Sequence, residues 1–266
     1  MTIEDQNRIF DDIALLALLK AKKIPYVTDT AGFIDVVADN DGIKRSIDIR
    51  GFNHVDLKML RSSGTIFANR AKTFHAENLK TARGSIIAAH AASFIAPMLT
   101  KIDGEWLEGN LDARSATDLQ IPKIKSIARD LKISSAQDAV LNELTFVGGR
   151  IDASMAQKFH AGKLIESKSF IDISSAEDVH MPRIKKSGAI YLHASHTGKE
   201  VSNLIVSETM GERDVVSIYN RNSKMVKISQ HKWMALENAR EMFSGPKSDQ
   251  DFSKQYDAFF NKCTVA

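Results

Sequence analysis

The chain has 266 residues, of which 43% are hydrophobic and 26% charged, with a formal net charge of +3. Those fractions are those of a soluble, folded protein, and so small a charge argues against strong electrostatic attraction to nucleic acid or an anionic membrane. The one cysteine, Cys263, rules out an intrachain disulfide, and the expected setting is a reducing cytoplasm.

The chain begins Met-Thr-Ile-Glu-Asp, without the basic stretch and apolar run of a secretory signal. The most apolar early segment, Ile13 to Leu19, is far too short to span a bilayer. Residues 4–22 read as a helix, with Ile9, Phe10, Ile13, Leu16, Ala17 and Leu19 on one wide apolar face. Asp11 and Asp12 lie early in it and Lys20, Lys22 and Lys23 late, the order the helix dipole favours. Pro25 stops it. Segments 32–37 and 43–49 flank Asp39-Asn-Asp-Gly42 and read as a hairpin. Residues 1–45 are therefore expected to form an N-terminal cap.

A repeat of about 20 residues follows. Its segments start at Ile47, Ile66, Ile86, Leu111, Leu131, Ile151, Ile171 and Tyr191. Thirteen residues after each start stands Leu60, Leu79, Leu99, Ile124, Leu144, Leu164, Ile184 or Leu204, all aliphatic. Five after each start stands Phe52, then Ala71, Ala91, Ala116, Ala136, Ala156 and Ala176, then His196. Pro97, Pro122 and Pro182 share offset eleven. Every segment but the last opens with apolar-x-apolar, the period-two pattern of a strand buried on one face. The small-residue column marks a narrow place where a leucine would overpack. Gly84, Gly104 and Gly149 recur where the chain turns into the next strand. These columns predict a mainly β protein, a right-handed parallel β-solenoid of about eight coils. The first coil is one residue short. The third carries an insertion at about residues 105–109, expected on one face as a surface loop. The solenoid is expected over residues 46–213. Residues 214–266 read as a C-terminal cap, with a strand pair at 215–229 and helices at 231–243 and 249–261.

The runs Leu111-Asp-Ala-Arg-Ser-Ala116 and Leu119-Gln-Ile-Pro-Lys-Ile-Lys-Ser-Ile127 resemble a bacterial leucine-rich repeat, and the segments from Ile86 and Ile171 match likewise. The resemblance spans about residues 47–210. It implies protein binding on the strand face and transfers no catalytic residue. The sequence departs from the family in placing alanine at the asparagine ladder position, and a β-helix cross-section is the rival.

Candidate sites follow from the columns. Outward-facing strand positions carry Asp48, Asp112, Lys132, Asp152 and Asp172 at offset one, and Arg50, Asn69, Arg114, Ser134, Ser154 and Ser174 at offset three. They form either a polar surface for a protein partner or a solvated face. Trp106 and Leu107 in the insertion are either a binding anchor or a flap over the solenoid wall. His75, His160 and His180 share offset nine, and His193-x-x-His196 ends the stack. Imidazoles so placed would suit a metal, but no acid or cysteine stands at a matching spacing, so no metal and no cofactor is expected. Asp35, Asp48 and Arg50 fall on the expected hairpin and would match a nuclease cation site only with a lysine that is absent. Arg221, Lys224, Lys227, His231 and Lys232, with Tyr219 and Trp233, form a basic stretch that is either a nucleic-acid contact or the outer surface of the cap.

The expected function is a non-catalytic, protein-binding repeat scaffold, an adaptor or inhibitor that uses Trp106, Leu107, Asp112, Arg114, Lys132, Asp152 and Asp172. Two alternatives stay open. One is a β-helix carbohydrate-active enzyme. The other is a nucleic-acid binder that uses Arg221, Lys224, Lys227 and Lys232.

Overall fold

A computed structural model describes residues 9–38, 45–104, 108–181, 183–184, 187, 189–192, 216–220 and 225–228. Within them the chain winds into a parallel β-solenoid with three strands per coil. The first wall holds the strands at the segment starts, from Ile47–Asp48 through Leu111–Asp112 to Ala189–Leu192, all parallel and one coil apart. The second wall runs from His54–Asp56 to Asp178–His180 as two sheets, divided between Asp118–Gln120 and Asp138–Val140, and the third runs from Leu60–Ser63 to Glu166–Ser167. The registers are one-to-one: Ile66 pairs with Ile86, Ile86 with Leu111, Leu111 with Leu131, and Leu131 with Ile151.

The corners explain the columns. The N–H of each offset-five alanine donates to the carbonyl three residues earlier, as in Ala71 to Ala68 (2.9 Å) and Ala156 to Ala153 (3.0 Å). A second turn of the same span closes at offset thirteen, as in Leu79 to Ala76 and Leu144 to Leu141. Pro97 and Pro122 occupy the second position of that second turn, where proline's fixed φ fits and its missing N–H is not needed. At the third corner one glycine is held tightly against the preceding coil. A Cβ at Gly148 would stand 1.9 Å from the Ala128 carbonyl oxygen, so no larger residue fits there. Leu60, Leu79, Leu99, Ile124, Leu144, Leu164 and Ile184 are all fully buried in one continuous core. Inside the second wall, Phe74 and Phe94 stack on successive coils, 4.9 Å between centroids.

The structure differs from the expected N-terminal cap in two ways. The helix is Asp12–Ala21, while Ile9–Asp11 is a strand parallel to His54–Asp56. Asp11 is the reason for the boundary: its carboxylate accepts the Ala14 N–H at 2.9 Å, capping the helix there. Phe10 is buried in the extended strand, edge-on to Phe52. The hairpin is also displaced. Tyr26–Thr28 pairs antiparallel with Ile34–Val36, whereas Ile47–Asp48 joins the first wall beside Ile66–Phe67. Period-two alternation alone did not say which partner each strand would choose.

The last coil is one residue short of the expected repeat. Ile190, not Tyr191, pairs with Ile171 and is buried, and Tyr191 points outward opposite Asp172. Val216–Asn220 continues the first wall in parallel and pairs antiparallel with Met225–Ile228, the strand pair expected there. The expected helices at 231–243 and 249–261, and Leu204, lie outside the described residues. Among the described residues no helix is long and apolar enough to cross a membrane.

Candidate functional site

The outward row of the first wall reads Asp48, Phe67, Ile87, Asp112, Lys132, Asp152, Asp172 and Tyr191, each in register with the next. Cross-strand neighbours stand about 4.8 Å apart, so these side chains form a ladder with fixed spacing. The structure thus brings Asp112, Lys132, Asp152 and Asp172 together on four consecutive coils.

Each charge is held mostly by its own coil. Asp112 has a side chain only 7% exposed and is gripped by Arg114, whose Nε lies 2.9 Å from Oδ1 and whose second nitrogen reaches Oδ2. That contact, offset by partial burial and reinforced by the nearby Asp112 and Asp152 charges, pushes the Arg114 guanidinium above its ordinary range. Lys132 stands 3.8 Å from Asp130, which also meets Arg150 at 3.3 Å. The Arg150 guanidinium lies over the Phe170 ring, 5.7 Å from its centroid. Asp152 accepts the Ser154 hydroxyl at 2.9 Å, and Asp172 accepts the Ser174 N–H at 3.1 Å. A second Asp–Arg unit sits at the N-terminal end. Arg50 donates to Asp48 from Nε at 2.9 Å and from its terminal nitrogen at 2.5 Å, while lying over Phe67. Hydrogen bonding from Arg50 holds the Asp48 carboxyl below the usual carboxylate range.

Asp35 does not join Asp48. It lies on the displaced hairpin and pairs with Arg61 at 2.6 Å, so the acids weighed as a cation site are separated. The offset-nine histidines lie on the second wall. His75 Nε2 is 3.2 Å from Ser93 Oγ, and that hydroxyl donates to Asp118 at 3.0 Å. Ser93 thus links His75 to Asp118 across successive coils of the second wall. His160 Nε2 stands 2.8 Å from Asp178, and its ring is 5.7 Å from that of His180. The His160 contact holds the Asp178 carboxyl below its ordinary range. Among the described residues no three of His, Cys, Asp or Glu converge as a metal set.

Trp106 and Leu107 lie outside the described residues, but the neck of their loop does not. Gly104 and Glu108–Gly109 approach so closely that a Cβ on Gly104 would meet the Glu108 carbonyl carbon at 2.3 Å. The insertion therefore leaves at the third corner and re-enters directly before Leu111–Asp112. Arg221, Lys224, His231, Lys232 and Trp233 lie outside the described residues. Tyr219 and Lys227 fall on the C-terminal strand pair, where Lys227 is opposite Ser217.

Sequence reasoning missed one ladder. The residue before four successive first-wall strands, Thr65, Ser85, Asn110 or Asp130, offers a side-chain oxygen to the next coil. Ser85 N–H donates to Thr65 Oγ1, Asn110 N–H to Ser85 Oγ, Asp130 N–H to Asn110 Oδ1, and Arg150 N–H to Asp130 Oδ1, all at 3.1–3.2 Å. Its signal was available as a column of small polar residues just ahead of the apolar-x-apolar pattern.

Comparisons of the chain with protein-family models, with curated proteins and with solved structures return no match.

Proposed function

We propose that the protein is a non-catalytic repeat scaffold that binds a protein partner through the first-wall face carrying Asp112, Arg114, Lys132, Asp152 and Asp172. The observation that supports this most is preorganisation. Arg114, Ser154 and the Ser174 amide already hold the three aspartates, so a partner meets a fixed pattern of charge with little side-chain entropy left to lose. The alternation of Asp112, Lys132 and Asp152 gives that pattern a register, which favours specificity over raw affinity. Gly104 and Glu108–Gly109, which flank Trp106 and Leu107 in the chain, lead directly into Leu111–Asp112, so an anchor carried between them would border the same surface. The leucine-rich-repeat resemblance adds the precedent of recognition on a strand face. An inhibitor or adaptor in a cytoplasmic setting fits this reading.

The alternative of sugar cleavage would have to use these same carboxylates. Glycoside hydrolysis needs two carboxyl groups flanking the scissile bond. Here Asp112, Asp152 and Asp172 stand in a single row on one wall, with Asp112 gripped by an arginine and the other two engaged by serines of their own coils.

Photo-crosslinking in the native host tests the proposal. A crosslinking amino acid at Ser134 or Ser154 is expected to trap the same protein, and one at Ser126 on the third wall is not. The Lys132→Glu/Asp152→Lys exchange is expected to abolish that adduct. Equal trapping from both walls, or persistence of the adduct in the exchanged variant, would remove the first wall from the reading.

A further inference from the structure

The outward aspartates of the first wall are of two kinds. Asp48 and Asp112 are each followed two residues later by an arginine, Arg50 or Arg114, that grips both carboxylate oxygens. Asp152 and Asp172 have serine in that place. Ser154 and the Ser174 amide engage one oxygen of each, and neither carboxylate is in an ion pair among the described residues. The two are neighbours in register, with Lys132 beyond Asp152 and Tyr191 beyond Asp172. Tyr191 is 39% exposed, its ring edge-on to Phe170. Along the stack a partner therefore meets an aromatic ring, two carboxylates without a cation of their own, and a lysine.

Every strand that carries this row is paired on both sides. No backbone edge is open there, so a partner is read through side chains and not by strand addition. The spacing then selects the partner's conformation. Successive coils place the row at about 0, 4.8, 9.6 and 14.4 Å. An extended chain laid along the stack presents one face every ~6.7 Å and is out of step by the second coil. An α-helix laid the same way puts positions i, i+3, i+7 and i+10 at about 0, 4.5, 10.5 and 15 Å, within an arc of about 80°. Each position falls within about 1 Å of a coil.

We propose that the partner docks on this row as an α-helix, its axis along the stack and across the strands. Position i is apolar against Tyr191, positions i+3 and i+7 are basic against Asp172 and Asp152, and position i+10 is acidic against Lys132. Arginine suits the basic positions best, since its fork can take both oxygens of a carboxylate, as Arg50 and Arg114 do on their own coils. The proposal rests on the first-wall reading and names the element that the partner brings to it. Four coils bury roughly 300 Å² per side, well under the ~800 Å² of a standard interface. An isolated helix is therefore expected to bind weakly, with a dissociation constant on the order of tens of micromolar, and more weakly as salt is raised.

The test uses three fluorescent synthetic peptides of one composition, titrated with the full chain at low ionic strength and read by anisotropy. The first is a stapled helix with the apolar residue, two arginines and glutamate at i, i+3, i+7 and i+10. The second is a stapled helix with its arginines moved to i+5 and i+9, on the opposite face. The third is unstapled and broken by prolines. Circular dichroism confirms which peptides are helical. The first is expected to bind, and the other two about tenfold or more weakly. Asp152→Asn/Asp172→Asn removes two neighbouring like charges without burying anything new, and is expected to lose the first peptide by a similar factor. Lys132→Glu, with its folding checked, is expected to bind a version carrying arginine at i+10 better than the original. Equal binding of the two stapled peptides would mean charge attraction without register and would overturn the proposal. So would tighter binding of the proline-broken peptide, no binding of any peptide, or an unchanged preference in Lys132→Glu. The photo-crosslinks from Ser134 and Ser154 report separately on the reading beneath. A protein trapped there by a chain that ignores all three peptides overturns the helix and keeps the face.

Discussion

The Ser85 hydroxyl, on a residue only 5% exposed, accepts from three donors: the Gly109 and Asn110 amides at 3.1 Å and the Asn110 side-chain amide at 3.3 Å. It stands at the neck of the insertion, where the polar ladder crosses the coil that carries it. Ser85→Ala strips two backbone N–H groups of their acceptor in a place water reaches poorly. Leaving buried donors unpaired costs about 1–3 kcal/mol, and urea melts are expected to show that loss at an unchanged slope. Ser134→Ala, on the half-exposed first-wall face, is expected to stay within about 0.5 kcal/mol of wild type. The contrast between two chemically identical substitutions also marks what the sequence made legible. Residues that fill the core announce themselves, because every coil offers the same space: Ala71 through Ala176 are fully buried where the period demanded a methyl. Ser85 does not announce itself. Its importance depends on which amide lies one coil away, a relation set by register. Arg114 is similar. Its type and position were readable, but its capture of the buried Asp112, two residues earlier at the end of the strand, was not.

The helix Asp12–Ala21 closes the N-terminal end by burying Leu15 and Leu19 in the common core. It is tied to the stack at its first turn, where both oxygens of Asp12 accept the Met59 N–H at 3.1 Å. Burial pushes the Asp12 carboxyl above its ordinary value, against the pull of the Met59 and Lys58 amides. The other end of the helix carries strain. Lys22 N–H bonds to Leu18 and Ile24 N–H to Leu19, both at 2.9 Å, with Lys23 between them at a φ of 52°. That left-handed turn is where helices usually place glycine. Lys23→Gly relieves the side-chain strain while adding freedom to the unfolded chain. The net gain is expected to be at most about 1 kcal/mol, read as a raised thermal midpoint. An unchanged or lower midpoint would mean that the lysine side chain makes a compensating contact. The sequence indicated this helix by its apolar face but overran its start, because Ile9 and Phe10 fit a helical stripe as well as a strand. Only the pairing with His54–Asp56 decides between them.

For the whole molecule, stability is a sum over coils and the contacts between adjacent ones, so removing a complete coil should leave a protein that folds. Two deletions make that idea quantitative. Loss of residues 131–150 and loss of residues 151–170 each remove 20 residues and preserve every apolar column, since Leu131, Ile151 and Ile171 occupy equivalent registers. They differ in charge. Without 131–150, Asp112, Asp152 and Asp172 become neighbours on three successive coils, and the Asp130–Arg150 pair is lost. Without 151–170, the row reads Asp112, Lys132, Asp172 and alternates. Like charges directly across a ladder cost up to about 1 kcal/mol per pair. The second deletion is therefore expected to be the more stable of the two in urea, with a gap that closes as salt is raised. Both are expected to unfold cooperatively. A deletion of residues 131–140 breaks the period, brings second-wall residues into first-wall positions, and is expected not to fold. If the two coil deletions are equally stable at low salt, Lys132 does not relieve repulsion along the row. The charge alternation would then be a property of the surface alone, without weight in how the coils hold together.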